Sequence, residues 1–280
     1  MLRSERYLLF TIDADWVPGS GKGLDALLRM CEAARVRATV FTTGRFALEY
    51  PGLIRDAHAA GHEIGVHGWE HPMPAYLVEN YRLTPIEQRR DWLKRATDAV
   101  GGVINRMPAS FRAPFLWIDA ETFRLLEELG YAIDSSVPSR RFDAFLGVVN
   151  YRSFFWSSLE PYHPDRDDPA GPGRSPILEV PPSAFLLPLN MSTLRFVGLS
   201  VTRALVRLLS TRSAILNFYC HPWEFVHPSE VEFAPGTPTR HTQAIGPRFL
   251  PALGTFLDAA LSMGYRPVTV EEMTSCGSWS

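Results

Sequence analysis

At 280 residues, with 28 basic and 30 acidic side chains, the chain is long enough for one α/β barrel or two small domains and is almost neutral, which argues against a nucleic acid or a broad anionic partner. Three scattered cysteines, Cys31, Cys220 and Cys276, exclude a disulfide framework and a cysteine-based zinc site and suit reduced thiols in a cytosol. The start MLRSERYLLFTIDADW lacks the apolar run and cleavage site of a secretory signal, so a cytoplasmic location, with access to the inner face of the membrane, is the expectation.

The run Tyr7 to Ile12 is continuously apolar and ends in Asp13, as in a strand buried on both faces of a parallel sheet. A glycine-rich turn, Gly19 to Gly23, leads into an amphipathic helix over Leu24 to Ala34 and a strand over Ala38 to Thr42, a βαβ unit in which the glycines would make room for substrate. The pattern repeats with a helix over Tyr50 to Ala60 and a strand over Glu63 to His67. Thr84, Pro85 and Glu87 have the spacing of a helix start with a capping box. Asp119 starts a further helix that Gly130 ends, with a strand over Tyr131 to Asp134. Residues 139–175, rich in proline, aspartate and arginine, read as an irregular loop insertion. A strand over Ala214 to Cys220, a helix over Arg248 to Met263 and a strand over Arg266 to Val270 follow. This alternation predicts one α/β domain over residues 1–280, a distorted (β/α) barrel. The apolar stretch Ser183 to Leu209 is interrupted by Pro188 and three arginines, so it cannot span a membrane; a helix over Val201 to Leu209 could either lie on a membrane surface or pack on the core.

Asp13 and Asp15 end the first strand, where parallel α/β folds place functional groups, although an Asp-x-Asp there also serves as a cap or turn. His67 and His71 follow a strand four residues apart and can converge on one ion with Asp15 as third ligand. His62 has no matching partner and reads as structural.

These segments resemble, in order, the motifs of the NodB-type polysaccharide deacetylase family, carbohydrate esterase family 4. TIDAD at Thr11 to Asp15 matches the first, HGWEHP at His67 to Pro72 the second, Arg112-Ala113-Pro114-Phe115 the third, and ILNFYCHP ending at His221 the last. The spaced Asp13 and Asp15 depart from the family's commoner adjacent pair, and HPWEF suggests a cell-envelope branch of it. The resemblance implies a NodB-type barrel and a metal-dependent hydrolase that removes an acetyl or formyl group from an amino sugar, a polysaccharide or a lipid-linked sugar. It implies that Asp15, His67 and His71 hold one divalent ion, zinc by default, with cobalt, nickel, manganese or iron also suited to such ligands. Asp13 would be the base, His221 the acid, Arg112 the partner of Asp13, and the Phe115 N–H an oxyanion donor. Asp134 is the candidate to orient His221, with an N-capping role equally open. Trp16, Trp69, Trp117 and Trp223 adjoin the motifs and would form a sugar-stacking wall or plug the core.

Other readings are an amidohydrolase of cyclic ureides or imides, and a non-catalytic carbohydrate-binding protein on the same fold. GSGKG at Gly19 to Gly23 fails as a phosphate loop because Lys22 is followed by Gly23, and no G-x-S-x-G elbow is present.

Overall fold

The first strand, β1 (Arg6–Ala14), is buried from Tyr7 to Ala14 and hydrogen-bonds to three other strands. Such a segment must satisfy its polar backbone within the sheet, which is why its sequence is apolar on both faces. The computed structural model, which describes residues 5–72, 79–142, 154–235, 237, 239, 242, 244–277 and 279, places β1 as the hub of an eight-stranded sheet in which every pairing among the described residues is parallel.

From β1 the sheet runs outward through β2 (Thr39–Thr42), β3 (Glu63–Val66), β4 (Ser110–Phe111), β5 (Ile133–Asp134) and β6 (Leu178–Glu179). On its other side β1 pairs with β9 (Ile215–Cys220), and near its start with β10 (Tyr265–Pro267). The chain's two ends therefore meet in one curled sheet, and the expected single-domain distorted barrel is borne out. Its helices are α1 (Gly21–Ala34), α2 (Gly44–Glu49), α3 (Pro51–Ala59), α4 (Ile86–Ile104), α5 (Ala120–Glu128), α6 (Met191–Leu209) and α7 (Leu250–Ser262). A hairpin, β7 (Ala184–Phe185) with β8 (Leu187–Pro188), precedes α6.

The curled sheet closes around Asn217. Ser183 N donates to the Asn217 carbonyl at 3.0 Å, and Asn217 Nδ2 donates to the carbonyls of Val180 and Pro181, both at 3.2 Å. Asn217 thus joins the segment after β6 to β9 where a regular ladder would close a full barrel.

Several elements differ from the sequence reading. Thr84 does not cap α4: the cap position is Pro85, without a side-chain bond, and the Thr84 carbonyl accepts from Arg89 Nε. The helix α2 was not foreseen; Thr43 Oγ1 caps it by accepting from Phe46 N at 3.2 Å. The helix α6 begins ten residues before Val201, because Asn190 caps it, and bends at Gly198, whose φ is 85°. The last strand ends at Pro267, before the expected Val270. Asp119 does cap α5, accepting from Thr122 N at 2.9 Å, and Gly130 follows it with φ 82°. Within the expected insertion, residues 143–153 lie outside the described residues; the remainder is irregular, with short bridges at Tyr162 and Pro164.

The glycines of the first turn make room for the protein itself rather than for substrate: Gly19 and Gly23 face backbone carbonyls and Gly21 the Tyr50 ring. A Cβ on Gly23 would lie 1.9 Å from the Pro222 carbonyl oxygen, so its absence lets α1 pack against the turn after His221.

Truncating the fully buried Asn217 to alanine removes the donor to the Pro181 carbonyl, one of two donors to the Val180 carbonyl and one acceptor of Arg112, and is expected to cost about 2–4 kcal/mol. Urea unfolding of Asn217→Ala measures this; a loss below about 1 kcal/mol would mean that the seam is held by other contacts.

Candidate active site

Asp13 and Asp15 lie at the C-terminal end of β1, beside the ends of β2 and β9. Buried carboxylates are costly without partners, and here each has a dedicated one. Asp13 Oδ1 accepts from Arg112 Nη1 at 2.8 Å. Arg112 is itself fully buried, and its guanidinium also donates to Thr11 Oγ1 at 2.6 Å, the Ser135 carbonyl at 3.0 Å, Ser135 Oγ at 2.8 Å and Asn217 Oδ1 at 3.3 Å. Asp15 Oδ2 accepts from Trp223 Nε1 at 2.9 Å, while its Oδ1 is buried with no hydrogen-bond donor.

That bare oxygen faces two imidazoles. His67 Nε2 lies 3.4 Å away and His71 Nε2 3.7 Å away, and all three side chains are buried. His67 Nδ1 lies 2.8 Å from the Arg112 carbonyl, which can only accept, so Nδ1 carries a proton and Nε2 is the nitrogen that faces Asp15. Burial pushes the His71 pKa down to about 4, although Asp15 opposes it, so this ring is neutral at pH 7. Burial would raise the Asp15 carboxyl, but the nearby histidines outweigh it and hold its pKa well below the usual range. An anionic oxygen and two imidazole nitrogens converge with no hydrogen bond to satisfy that oxygen, the arrangement a cation would complete. The ligand atoms of the three residues lie within 4.8 Å of one another, so the donor set fits a divalent ion.

The loop carrying His71 is shaped by a residue that the sequence reading passed over. Glu79 is buried, and its carboxylate accepts from the backbone N–H groups of Trp69, Glu70 (2.7 Å) and His71 (2.6 Å), and from Tyr81 Oη at 3.0 Å. Gly68, at φ 83°, leaves the space that this carboxylate needs: a Cβ there would stand 2.6 Å from Glu79 Oε1.

Across the site, His221 follows β9, and its ring stacks on Trp223 with centroids 5.1 Å apart. Its Nδ1 lies 3.1 Å from Glu224 Oε2, which also accepts from the His221 backbone N–H at 2.8 Å. Glu224 Oε1 in turn accepts from Arg195 Nη1 at 2.9 Å, with both side chains inaccessible. Burial alone would lower the His221 pKa, but Asp15 and Glu224 outweigh it and push it up to about 9. Glu224 acts on this ring by both charge and hydrogen bond, and Asp13 adds a smaller charge effect in the same direction.

Residues 3–133, which include the aspartate pair, both histidines and the Arg112 segment, match the family model described as polysaccharide deacetylase. That stretch belongs to the polysaccharide deacetylase family. A peptidoglycan deacetylase from Helicobacter pylori is 24% identical over 138 residues, 49% of this chain and 44% of the relative. The alignment thus spans less than half of that relative's length. Among solved structures, a family 4 carbohydrate esterase from Streptomyces lividans in complex with acetate superposes with a TM-score of 0.54 at 16% identity, covering 96% of this chain and 95% of that one. A family 4 pseudoenzyme from Bacillus anthracis gives 0.58 at 14% identity, covering 96% and 65%. The deacetylase fold is therefore shared with a chain described as lacking activity, and function must be argued from the site.

The deacetylase motifs place their residues together, but two expectations need correction. Asp134, the candidate to orient His221, instead accepts from Ser136 Oγ at 2.6 Å and faces Glu179; the carboxylate on His221 is Glu224. The signal was present in HPWEF, since a glutamate three residues after the histidine on a 3-10 turn can reach back to it. The tryptophans also do not form one wall. Trp223 is a buried hydrogen-bond donor to Asp15, and Trp69 packs on Gly44 beneath the Arg95 guanidinium, 4.1 Å from its ring centre. Trp16 lies under Arg45 and donates to Glu49 Oε2 at 2.7 Å. Trp117 packs on Phe115, with ring centroids 5.1 Å apart, and the Phe115 ring lies 4.5 Å from that of His71.

A cavity of about 440 Å³ lies at the opposite end of the strands, lined by Arg37, Glu63, Arg106 and Glu271. Its walls are tied by the ion pairs Arg37–Glu272 and Arg106–Glu271, as suits the stabilising end of a barrel.

The Asp134–Glu179 pair yields a stability prediction. Burial raises both carboxyls and mutual repulsion raises Glu179 further, so the folded pair shares a proton that the unfolded chain has lost by pH 7. A raised carboxyl stabilises fully below its unfolded pKa and loses that contribution as pH rises toward the folded value. Glu179→Gln is therefore expected to gain stability over the parent between pH 5 and pH 8, by up to about 1.4 kcal/mol per pH unit. Denaturant midpoints measured across that range test it; parallel curves for the two proteins would show that no proton is shared.

Proposed function

We propose that the chain is a metal-dependent hydrolase that removes an N-acyl group, acetyl or formyl, from an amino sugar of a glycan or lipid-linked sugar. The observation that carries this reading is the convergence of Asp15, His67 and His71 on the bare Asp15 Oδ1, with Asp13 two residues from Asp15 on the same strand end and His221 at the end of the neighbouring strand. Membership of the polysaccharide deacetylase family over residues 3–133 supports it.

Asp15, His67 and His71 would hold the ion, which when bound supplies a Lewis acid that polarises the acyl carbonyl and acidifies water. Asp13, oriented by Arg112, receives a proton from the attacking water as its oxygen bonds to the acyl carbon. The Phe115 N–H is the candidate donor to the developing oxyanion. His221, backed by Glu224, gives its proton to the sugar nitrogen as the C–N bond breaks. The products are a carboxylate and a free amine. Phe115 and Trp117 are the candidates to face the sugar ring.

Metal analysis of the purified protein, with acetate and formate release from N-acylated sugars measured with and without chelator, tests the class. One ion per chain and chelator-sensitive release are expected; an ion without release from free or lipid-linked sugars would redirect the search to cyclic ureides or imides.

Asp13→Asn should abolish turnover while the ion stays bound, because a base is lost but no ligand is, and His67→Ala should lose both. Hydrolysis by ion-loaded Asp13→Asn would remove Asp13 from its role. Glu224→Gln withdraws the charge that raises the His221 pKa, so the alkaline limb of the rate profile should move to lower pH. An unmoved limb would mean that His221 is not the acid.

A further inference from the structure

Nine large apolar side chains stand exposed among the described residues, and six of them, Phe142, Trp156, Leu186, Phe196, Val197 and Val201, come from residues 142–201. They are brought together by the fold. Phe142 N donates to the Leu186 carbonyl at 3.0 Å and Leu186 N to the Arg140 carbonyl at 2.8 Å, while the Arg140 guanidinium lies 4.9 Å from the Trp156 ring centre. Leu186 is the tip of the β7–β8 hairpin, which is seated on the first turn of α6 through the Thr193 Oγ1 bond to the Pro188 carbonyl at 2.6 Å.

The helix α6 already spends one side on the core, through Leu194, Thr202, Leu205, Val206 and Leu209. Phe196 and Val197 are exposed just before the kink at Gly198, and Val201, Arg203 and Arg207 are exposed after it. Along this stretch of chain the acid–base charge has one sign. From Val180 to Trp223 the sequence has no aspartate or glutamate and four arginines, Arg195, Arg203, Arg207 and Arg212. Arg195 is committed internally to Glu224, and the other three are exposed. In a chain of net charge −2 this is a local basic surface set among apolar side chains.

We propose that the outer face of α6, with the neighbouring hairpin tip and Trp156, docks on the surface of an anionic lipid bilayer. Phe196, Val197, Val201, Leu186 and Trp156 would enter the boundary between headgroups and acyl chains, and Arg203, Arg207 and Arg212 would meet the lipid phosphates. No helix among the described residues is long and apolar enough to cross a membrane, so the contact is peripheral. Asn190, which caps α6, bridges to Tyr219, whose ring lies 5.9 Å from that of His221, so docking sets the His221 end of the barrel beside the headgroup layer. The inference rests on this surface alone and holds whether or not the chain cleaves amides.

Cosedimentation of the full chain with vesicles of phosphatidylcholine, with and without phosphatidylglycerol, tests it. Binding to the anionic vesicles is expected, and added salt should reverse it. It should weaken on the order of tenfold or more in Arg203→Glu/Arg207→Glu, and comparably in Phe196→Ser/Val201→Ser. Both pairs are exposed, so circular dichroism and thermal melting should match the parent. Failure of the parent to bind either vesicle, or unchanged binding by both variants, would overturn the proposal. So would a parent dimer in size-exclusion chromatography that Phe196→Ser/Val201→Ser dissolves, since a second copy would then cover this face.

Discussion

A charged guanidinium inside a barrel has to be answered on every side, and Arg112 is answered by the elements that make the site. Its donors reach Thr11 and Asp13 on β1, Ser135 after β5 and Asn217 on β9, while its own carbonyl fixes the His67 tautomer. Removing the charge would leave Asp13 buried without its cation and would loosen the side chain that closes the sheet. The network therefore ties the proposed base to the barrel's seam, and catalytic geometry and closure are not separable in this molecule.

Two further buried carboxylates extend the same logic. Glu79 gathers the N–H groups of Trp69, Glu70 and His71, and so shapes the loop on which the second imidazole stands. Glu224 bonds both the ring and the backbone of His221 and is itself answered by Arg195. Each spends its acceptors on orientation, as a preorganised site requires. Trp223 completes the link: it stacks on His221 and donates to Asp15, so one short turn after β9 touches both halves of the site.

Much of this was legible in the sequence because strand ends and ligand spacing are local signals. The apolar run before Asp13, the four-residue interval from His67 to His71 and the apolar strand before His221 needed no tertiary knowledge. What was missed depends on long-range approach. Asp134 is the aspartate that the family resemblance offers as partner of His221, but the fold buries it against Glu179. Glu79 carries no periodic signal, and its role exists only because a glycine at position 68 lets the chain fold over it. The tryptophans were grouped by proximity in sequence to the motifs, whereas their rings are distributed among an inner hydrogen bond, a helix surface and the rim.

The hub position of β1 also has a consequence for the order in which the chain can become a working molecule. Its pairing partners β2, β9 and β10 arrive at opposite ends of synthesis. A ribosome that has released the chain only as far as α6 has delivered Asp13, Asp15, His67, His71 and Arg112, but neither Asn217 nor the turn that carries His221, Trp223 and Glu224. Until β9 emerges and slots beside β1, one edge of this buried hub strand stays open to water and to other nascent chains. The last quarter of the polypeptide thus acts as its own cover, and heterologous production is best served by slow translation or by chaperones that shield that edge until the final strands are made.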